Sequence, residues 1–140
     1  MARSIEELVR ANFAAFNEND IEAGISMIAD GATQVDVPSG EVLRGPEGLA
    51  TYWRGWHSAF SDARTEITSL VVDGNRAAIE FTGRGTHDGT FVTPMGDLTP
   101  TGNTVEVSFA AVWEFADDKI TASRTYYDAA TFARQLGMTS

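Results

Sequence analysis

Apolar and polar residues alternate with a period of two between Val105 and Phe115. Val105, Val107, Phe109, Ala111, Trp113 and Phe115 share one face, and Glu106, Ser108 and Glu114 share the other. This alternation predicts a half-buried antiparallel strand. A polar turn at Ala116–Lys119 leads into a second strand, Ile120 to Tyr127. Here neither face is plainly apolar: Thr121, Ser123, Thr125 and Tyr127 share one, and Ala122, Arg124 and Tyr126 the other. A strand that pairs with a core strand yet is polar on both faces predicts a sheet carrying a polar pocket.

Upstream, the period changes to that of a helix. Ser4-Ile5-Glu6-Glu7 reads as a capping box, and Ile5, Leu8, Val9, Phe13 and Phe16 follow at helical spacing. Asp20 caps a second helix with Ile21, Ile25 and Ile28 as its stripe, predicted to end at Asp30-Gly31. Ala32 to Val37 reads as a short strand stopped by Pro38, with Gln34 and Asp36 on one face and Val35 and Val37 on the other. Gly45-Pro46-Glu47 opens a third helix whose apolar face is Leu49, Trp53, Trp56 and Phe60. Strands are predicted over 64–72 and 76–85, joined at Asp73-Gly74-Asn75. Ala77, Ile79 and Phe81 share a face of the second, and His87 joins it if no bulge intervenes near Gly83 or Gly85. The stretch 93–103, with two prolines and two glycines, reads as a long loop over a sheet edge or pocket mouth, where Met95 is placed to cover the opening or simply to connect. Asp128 caps a final helix over 129–136, closed by Gly137.

Helices gathered before a run of long strands predict an α+β fold: a curved, mainly antiparallel sheet wrapped as a conical barrel around three N-terminal helices, with a short C-terminal helix. The open end of a cone is a natural small-molecule cavity. The 140 residues suffice for one self-supporting core. A formal charge of −10 argues against nucleic acid and anionic membranes as partners. The absence of cysteine removes thiol catalysis and thiolate metal sites. Two histidines thirty positions apart do not make a metal pair. The N-terminus carries no apolar signal core, so a cytoplasmic protein is expected.

Several ordered pieces resemble the SnoaL-like polyketide cyclase family of the nuclear-transport-factor-2-like superfamily. They are Trp56 through Asp62, Asp73-Gly74, Gly85-Thr86-His87-Asp88-Gly89, Pro100-Thr101-Gly102, the strand 105–115 with its Asp-Lys-Ile turn, and Arg124 through Asp128 leading into Gln135-Leu136-Gly137. The resemblance covers nearly the whole chain as one domain over 1–140. It implies a homodimer with an apolar cavity and no cofactor. Cyclases of the family use an acidic residue in the last strand. That position falls at Thr125 here, and the helper positions fall at Phe109, Ala111 and Ser123.

The candidate catalytic residues are therefore His87, Tyr127 and Asp36. His87 titrates near neutrality and either removes a proton beside a substrate carbonyl or is a structural imidazole at a strand end. Asp36 is either an inward, desolvated base or an edge-strand acid in solvent. Tyr127 shares the parity of Thr125 and is expected to face the cavity as a hydrogen-bond donor, leaving Tyr126 for a dimer interface and Arg124 for a surface or interface ion pair. Asp128 is read first as a helix cap. Trp53, Trp56, His57, Phe109 and Thr125 are the candidate substrate contacts; the aromatic stripe also serves as core. The expected function is a cofactor-free enzyme acting on an apolar carbonyl compound, a cyclase or isomerase by type. The alternative is a non-catalytic protein that binds a small ligand. Convergence of His87, Asp36 and Tyr127 in one pocket separates the two.

Overall fold

The computed structural model describes residues 3–93 and 96–138. Helix α1 (Ile5–Asn17) begins at the predicted capping box: Ser4 Oγ accepts from the Glu7 N–H at 3.1 Å, and the Ser4 N–H donates to Glu7 Oε1 at 3.1 Å. Helix α2 (Ile21–Ile25) is capped by Asp20, as expected, but is shorter than the isoleucine stripe suggests. The chain leaves the helix at Ser26, and Ile28 opens strand β1 (Ile28–Asp36). Ile28 is buried as a strand residue because it pairs with Ile120, so the same side chain satisfies a helical stripe and a strand. Asp30-Gly31 lies where the register of β1 shifts, and does not end a helix.

Strand β2 (Glu41–Arg44) is short and mostly exposed, and the sequence reading passes over it. Gly45, at φ +67°, turns the chain into α3 (Gly45–Ala59), with Pro46 in its first turn. Strands β3 (Arg64–Asp73) and β4 (Arg76–Thr86) form the predicted hairpin. The 93–103 stretch is only partly loop. β5 (Phe91–Thr93) and β6 (Gly96–Leu98) form a small hairpin whose Phe91 and Leu98 pack on the core. Three-residue strands are too short for periodicity to reveal. Met95 lies outside the described residues. Strands β7 (Thr104–Ala116) and β8 (Lys119–Tyr127) are joined through Asp117 and Asp118, both at positive φ, as a tight hairpin turn requires. Asp128 caps α4 (Ala129–Gln135) by accepting from the Ala130 and Thr131 N–H groups.

The six-stranded sheet runs β2-β1-β8-β7-β4-β3. Every neighbouring pair is antiparallel except β1 and β8, which are parallel. The sheet curls with α1 and α3 on its concave side, the cone expected from the sequence. The inward faces of β4 and β7 are in register, with Ile79 opposite Ala111 and Phe81 opposite Phe109. Two apolar clusters fill the cone. One joins Leu8, Val9 and Phe13 of α1 to Trp53, Ile79 and Trp113. The other joins Phe60 to Val105, Val107, Phe132 and Leu136. Among the described residues no helix is long and apolar enough to cross a membrane.

Candidate functional site

Between the two clusters lies a cavity of about 140 Å³. Phe13, Trp53 and Trp113 line it from the first cluster, and Phe60, Val107 and Phe132 from the second. A dry protein cavity of about 150 Å³ accepts a benzene ring, so the space suits a body of that scale. Glycines make part of the room. A Cβ at Gly83, which lines the cavity, would stand 2.8 Å from Phe109 Cε1. Phe81 and Phe109 stack with centroids 5.0 Å apart. Trp53, Trp56, Phe109 and Thr125, four of the candidate substrate contacts, all line this space.

One part of the wall is polar. Parallel pairing sets Gln34 of β1 beside Ser123 of β8, and Asp36 beside Thr125. The inward face of β1 is thus Gln34 and Asp36, both buried, while Val35 is half-buried and Val37 exposed. Asp36 is only 5% exposed. Its carboxylate accepts from Tyr52 Oη at 2.9 Å and from Tyr127 Oη at 3.1 Å to each oxygen. Ser39 adds its hydroxyl at 3.1 Å and its N–H at 3.3 Å. Burial, reinforced by the Asp36 charge, pushes both phenols above the ordinary tyrosine range. Both therefore remain donors to the carboxylate. Tyr52 also lines the cavity, so it stands between the ligand space and Asp36. The sequence reading missed Tyr52. It sits three residues after Leu49 and four before Trp56, on a second helical stripe that the more obvious one obscures.

The expected third member of this group does not join it. His87 is fully buried, but its ring packs 5.4 Å from Phe60, and Phe60 is what faces the cavity. Its Nδ1 lies 3.0 Å from Thr101 Oγ1 and accepts the Thr101 N–H at 3.3 Å. The His87 N–H donates to the Asn103 carbonyl, and the Gly102 N–H to the His87 carbonyl. Alternation along β4 does carry His87 inward, as expected, but β4 ends at Thr86 and the next residue is tied to the 101–103 strap. The surrounding motif is likewise structural. The Thr86 N–H and hydroxyl bond Asp62, Asp88 accepts from Ser61, and the Asp88 and Gly89 N–H groups bond the Ala59 carbonyl at the end of α3.

His57 does not line the cavity either. Its Nε2 lies 2.9 Å from the Phe16 carbonyl, fastening α3 to the end of α1, and burial holds its pKa below the usual range. Arg124 pairs with Glu114 at 3.1 Å on the convex face, as expected. Tyr126 is exposed on that face. Among the described residues no group of three acidic or imidazole side chains converges as a metal site.

The fold matches solved structures along essentially its whole length. IdmH, a candidate polyketide cyclase from Streptomyces antibioticus, is 25% identical, with a TM-score of 0.80 over 97% of this chain and 100% of that one. A candidate SnoaL-like polyketide cyclase from Jannaschia sp. CCS1 is 16% identical, with a TM-score of 0.84 over 100% and 99%. A protein with a ketosteroid isomerase-like fold from Catenulispora acidiphila, solved with trimethylamine, is 21% identical, with a TM-score of 0.81 over 97% and 96%. No curated protein matches by sequence. The profile of the SnoaL-like domain matches residues 9–123, from α1 into β8, and the chain belongs to the SnoaL-like domain family.

Proposed function

We propose that this protein is an acid/base enzyme acting on an apolar carbonyl compound, of the cyclase or isomerase type. The observation that carries the proposal is the buried Asp36 carboxylate held by two phenols, one of which faces the cavity. A ligand hydroxyl in its enol form donates to Tyr52 Oη while Tyr52 donates to Asp36. One proton moves from the ligand oxygen to Tyr52, and the phenol's own proton moves to Asp36. The ligand is left as an enolate, which either attacks a second carbonyl of the same molecule or is reprotonated at carbon. Tyr127 keeps its hydrogen bond to the carboxylate throughout. A ligand seated against the aromatic wall would displace water there, which would strengthen each of these interactions. The likeness to IdmH supports the cyclase reading.

The test is turnover of small 1,3-diketones and their enols by wild type and by Asp36→Asn. Proton-transfer groups contribute about 10²–10⁴-fold, so a loss of that size with retained ligand binding is expected. Unchanged turnover would remove Asp36 from the chemistry. A second reading, a non-catalytic binding protein, draws on Thr125, which places a hydroxyl on the cavity wall where the resemblance puts a carboxylate. It predicts that ligands quench Trp53 and Trp56 fluorescence and are recovered unaltered.

We also propose a homodimer through the convex face. Paired residues Val42, Val35, Arg124, Val112, Ala78 and Val71 form one outward row across all six strands, with Val42 48% and Val71 60% exposed. Sedimentation of wild type and Tyr126→Glu tests it; a wild-type monomer at micromolar concentration would refute it.

A further inference from the structure

Two buried side-chain nitrogens lack a hydrogen-bond partner among the described residues: Nε2 of His87 and Nε2 of Gln34. They differ in position. His87 packs behind Phe60, outside the cavity, whereas Gln34 lines it. Gln34 is more than nine-tenths buried, at 8% exposure. Its neighbour on β8, Ser123, also lines the cavity and is equally buried. The other buried amide on the wall, Asn12, is already engaged, donating to the Gly24 carbonyl at 3.3 Å. Gln34 thus brings an unpaired, desolvated donor to the polar stretch of the cavity wall, and buried donors in folded proteins almost always have an acceptor.

We infer that Gln34 is the specificity-determining donor for a carbonyl oxygen of the ligand, and that the ligand is a ring-sized compound carrying two oxygens, a hydroxyl for Tyr52 and a ketone for Gln34. The inference rests on the proposed use of the cavity and adds the second point of attachment. Gln34 and Asp36 are two residues apart on the same face of β1, so their Cα atoms are about 7 Å apart. Tyr52 sits on Asp36, and Tyr52 and Gln34 both line the cavity, so the two anchor points face one ring-sized space. A ketone on Gln34 is also polarised, because its oxygen receives the amide N–H. An apolar ligand without a ketone fills the cavity and leaves the amide unpaired.

The experiment compares 4-hydroxyacetophenone, which has both oxygens, with phenol, which lacks the ketone, by tryptophan quenching on wild type and on Gln34→Leu. Wild type is expected to favour 4-hydroxyacetophenone by about 3- to 10-fold, the worth of one neutral hydrogen bond. Gln34→Leu is expected to bind phenol unchanged and to lose the preference. A preference that survives in Gln34→Leu overturns the inference. A second measurement needs no ligand. Replacing an unpaired buried donor with an apolar side chain of similar size is expected to leave the Tm unchanged or raised. A Tm lowered by several degrees would mean that Gln34 holds the fold together, and would also overturn the inference. If neither probe binds wild type, the cavity reading fails and this inference fails with it. If Asp36→Asn spares turnover while the Gln34-dependent preference is present, only the acid/base proposal fails.

Discussion

Replacing Tyr127 with Phe removes one hydroxyl and leaves the ring, which packs 5.0 Å from Phe109. Asp36 loses a donor shared between its two oxygens at 3.1 Å each and keeps Tyr52 and the two groups of Ser39. A hydrogen bond to a charged group contributes about 1.5–3 kcal/mol. With about 2.1 cal/mol/K of unfolding entropy per residue, this chain unfolds with roughly 0.3 kcal/mol/K, so the Tm should fall by about 5–10 °C. Urea unfolding followed by tryptophan emission gives the free-energy difference directly. In the double variant with Tyr52→Phe, only Ser39 remains on a buried carboxylate. The combined loss should therefore exceed the sum of the single losses by about 0.5 kcal/mol or more. Alkaline conditions provide a check on the sign. Both phenols are raised in the folded state, so above about pH 10 the unfolded chain releases protons that the folded chain retains. Stability should fall with pH there, and less steeply in Tyr127→Phe. A Tyr127→Phe protein within about 0.5 kcal/mol of wild type would refute the picture of a carboxylate held by two phenols.

Three further outcomes are expected. Gly24→Ala drives its new Cβ into the Trp53 indole, and overpacking of about 1–3 kcal/mol should outweigh the helix-propensity gain of about 1 kcal/mol, with a shifted tryptophan emission; equal stability would show that Trp53 moves freely. His57 has a folded pKa below its unfolded value, so stability should drop as pH falls from about 6.5 into the window above the folded pKa, and His57→Gln should flatten that slope in urea titrations at each pH. His87→Ala should destabilise by about 2–4 kcal/mol through lost packing and the lost Thr101 contact while sparing turnover per folded molecule; a 10²-fold loss of turnover would return His87 to the chemistry.

The elements legible from sequence are those in which one local rule acts alone. The β7 alternation, the Ser4 capping box and the Asp20 and Asp128 caps all stand as predicted. The rules fail where tertiary pairing overrides them, as at Ile28, whose burial suits either period and whose pairing with Ile120 decides. On β1 the local pattern leaves open which face turns in, and it is Gln34 and Asp36, not the apolar Val35 and Val37, that are buried. A cavity with a polar wall and a convex face rich in valine reverse the usual assignment together. Parity puts Tyr127 on the inward side of β8, but it packs on Phe109 and bonds Asp36 instead of lining the cavity as expected. Tyr52 could be paired with Asp36 only once α3 was seated over β1, a contact no local pattern encodes.

The parallel pairing of β1 with β8 also has a consequence for how the protein opens. β3, β4, β7 and β8 form a run of antiparallel neighbours, while β1 joins through residues about ninety positions away; Tyr127 and Asp36 are 91 apart. Closing a loop of that length costs roughly 2 kcal/mol more than closing a ten-residue turn. The β1–β2 edge is thus the natural unit of sub-global opening, able to detach while the meander stays folded. Such an opening separates Asp36 from Tyr127 and Gln34 from Ser123 in one event. The amide of Val37, bonded to the Thr125 carbonyl, should then exchange with solvent faster than those of β4 and β7. A ligand bridging Tyr52 and Gln34 would slow that exchange, because it can bind only while the edge is closed.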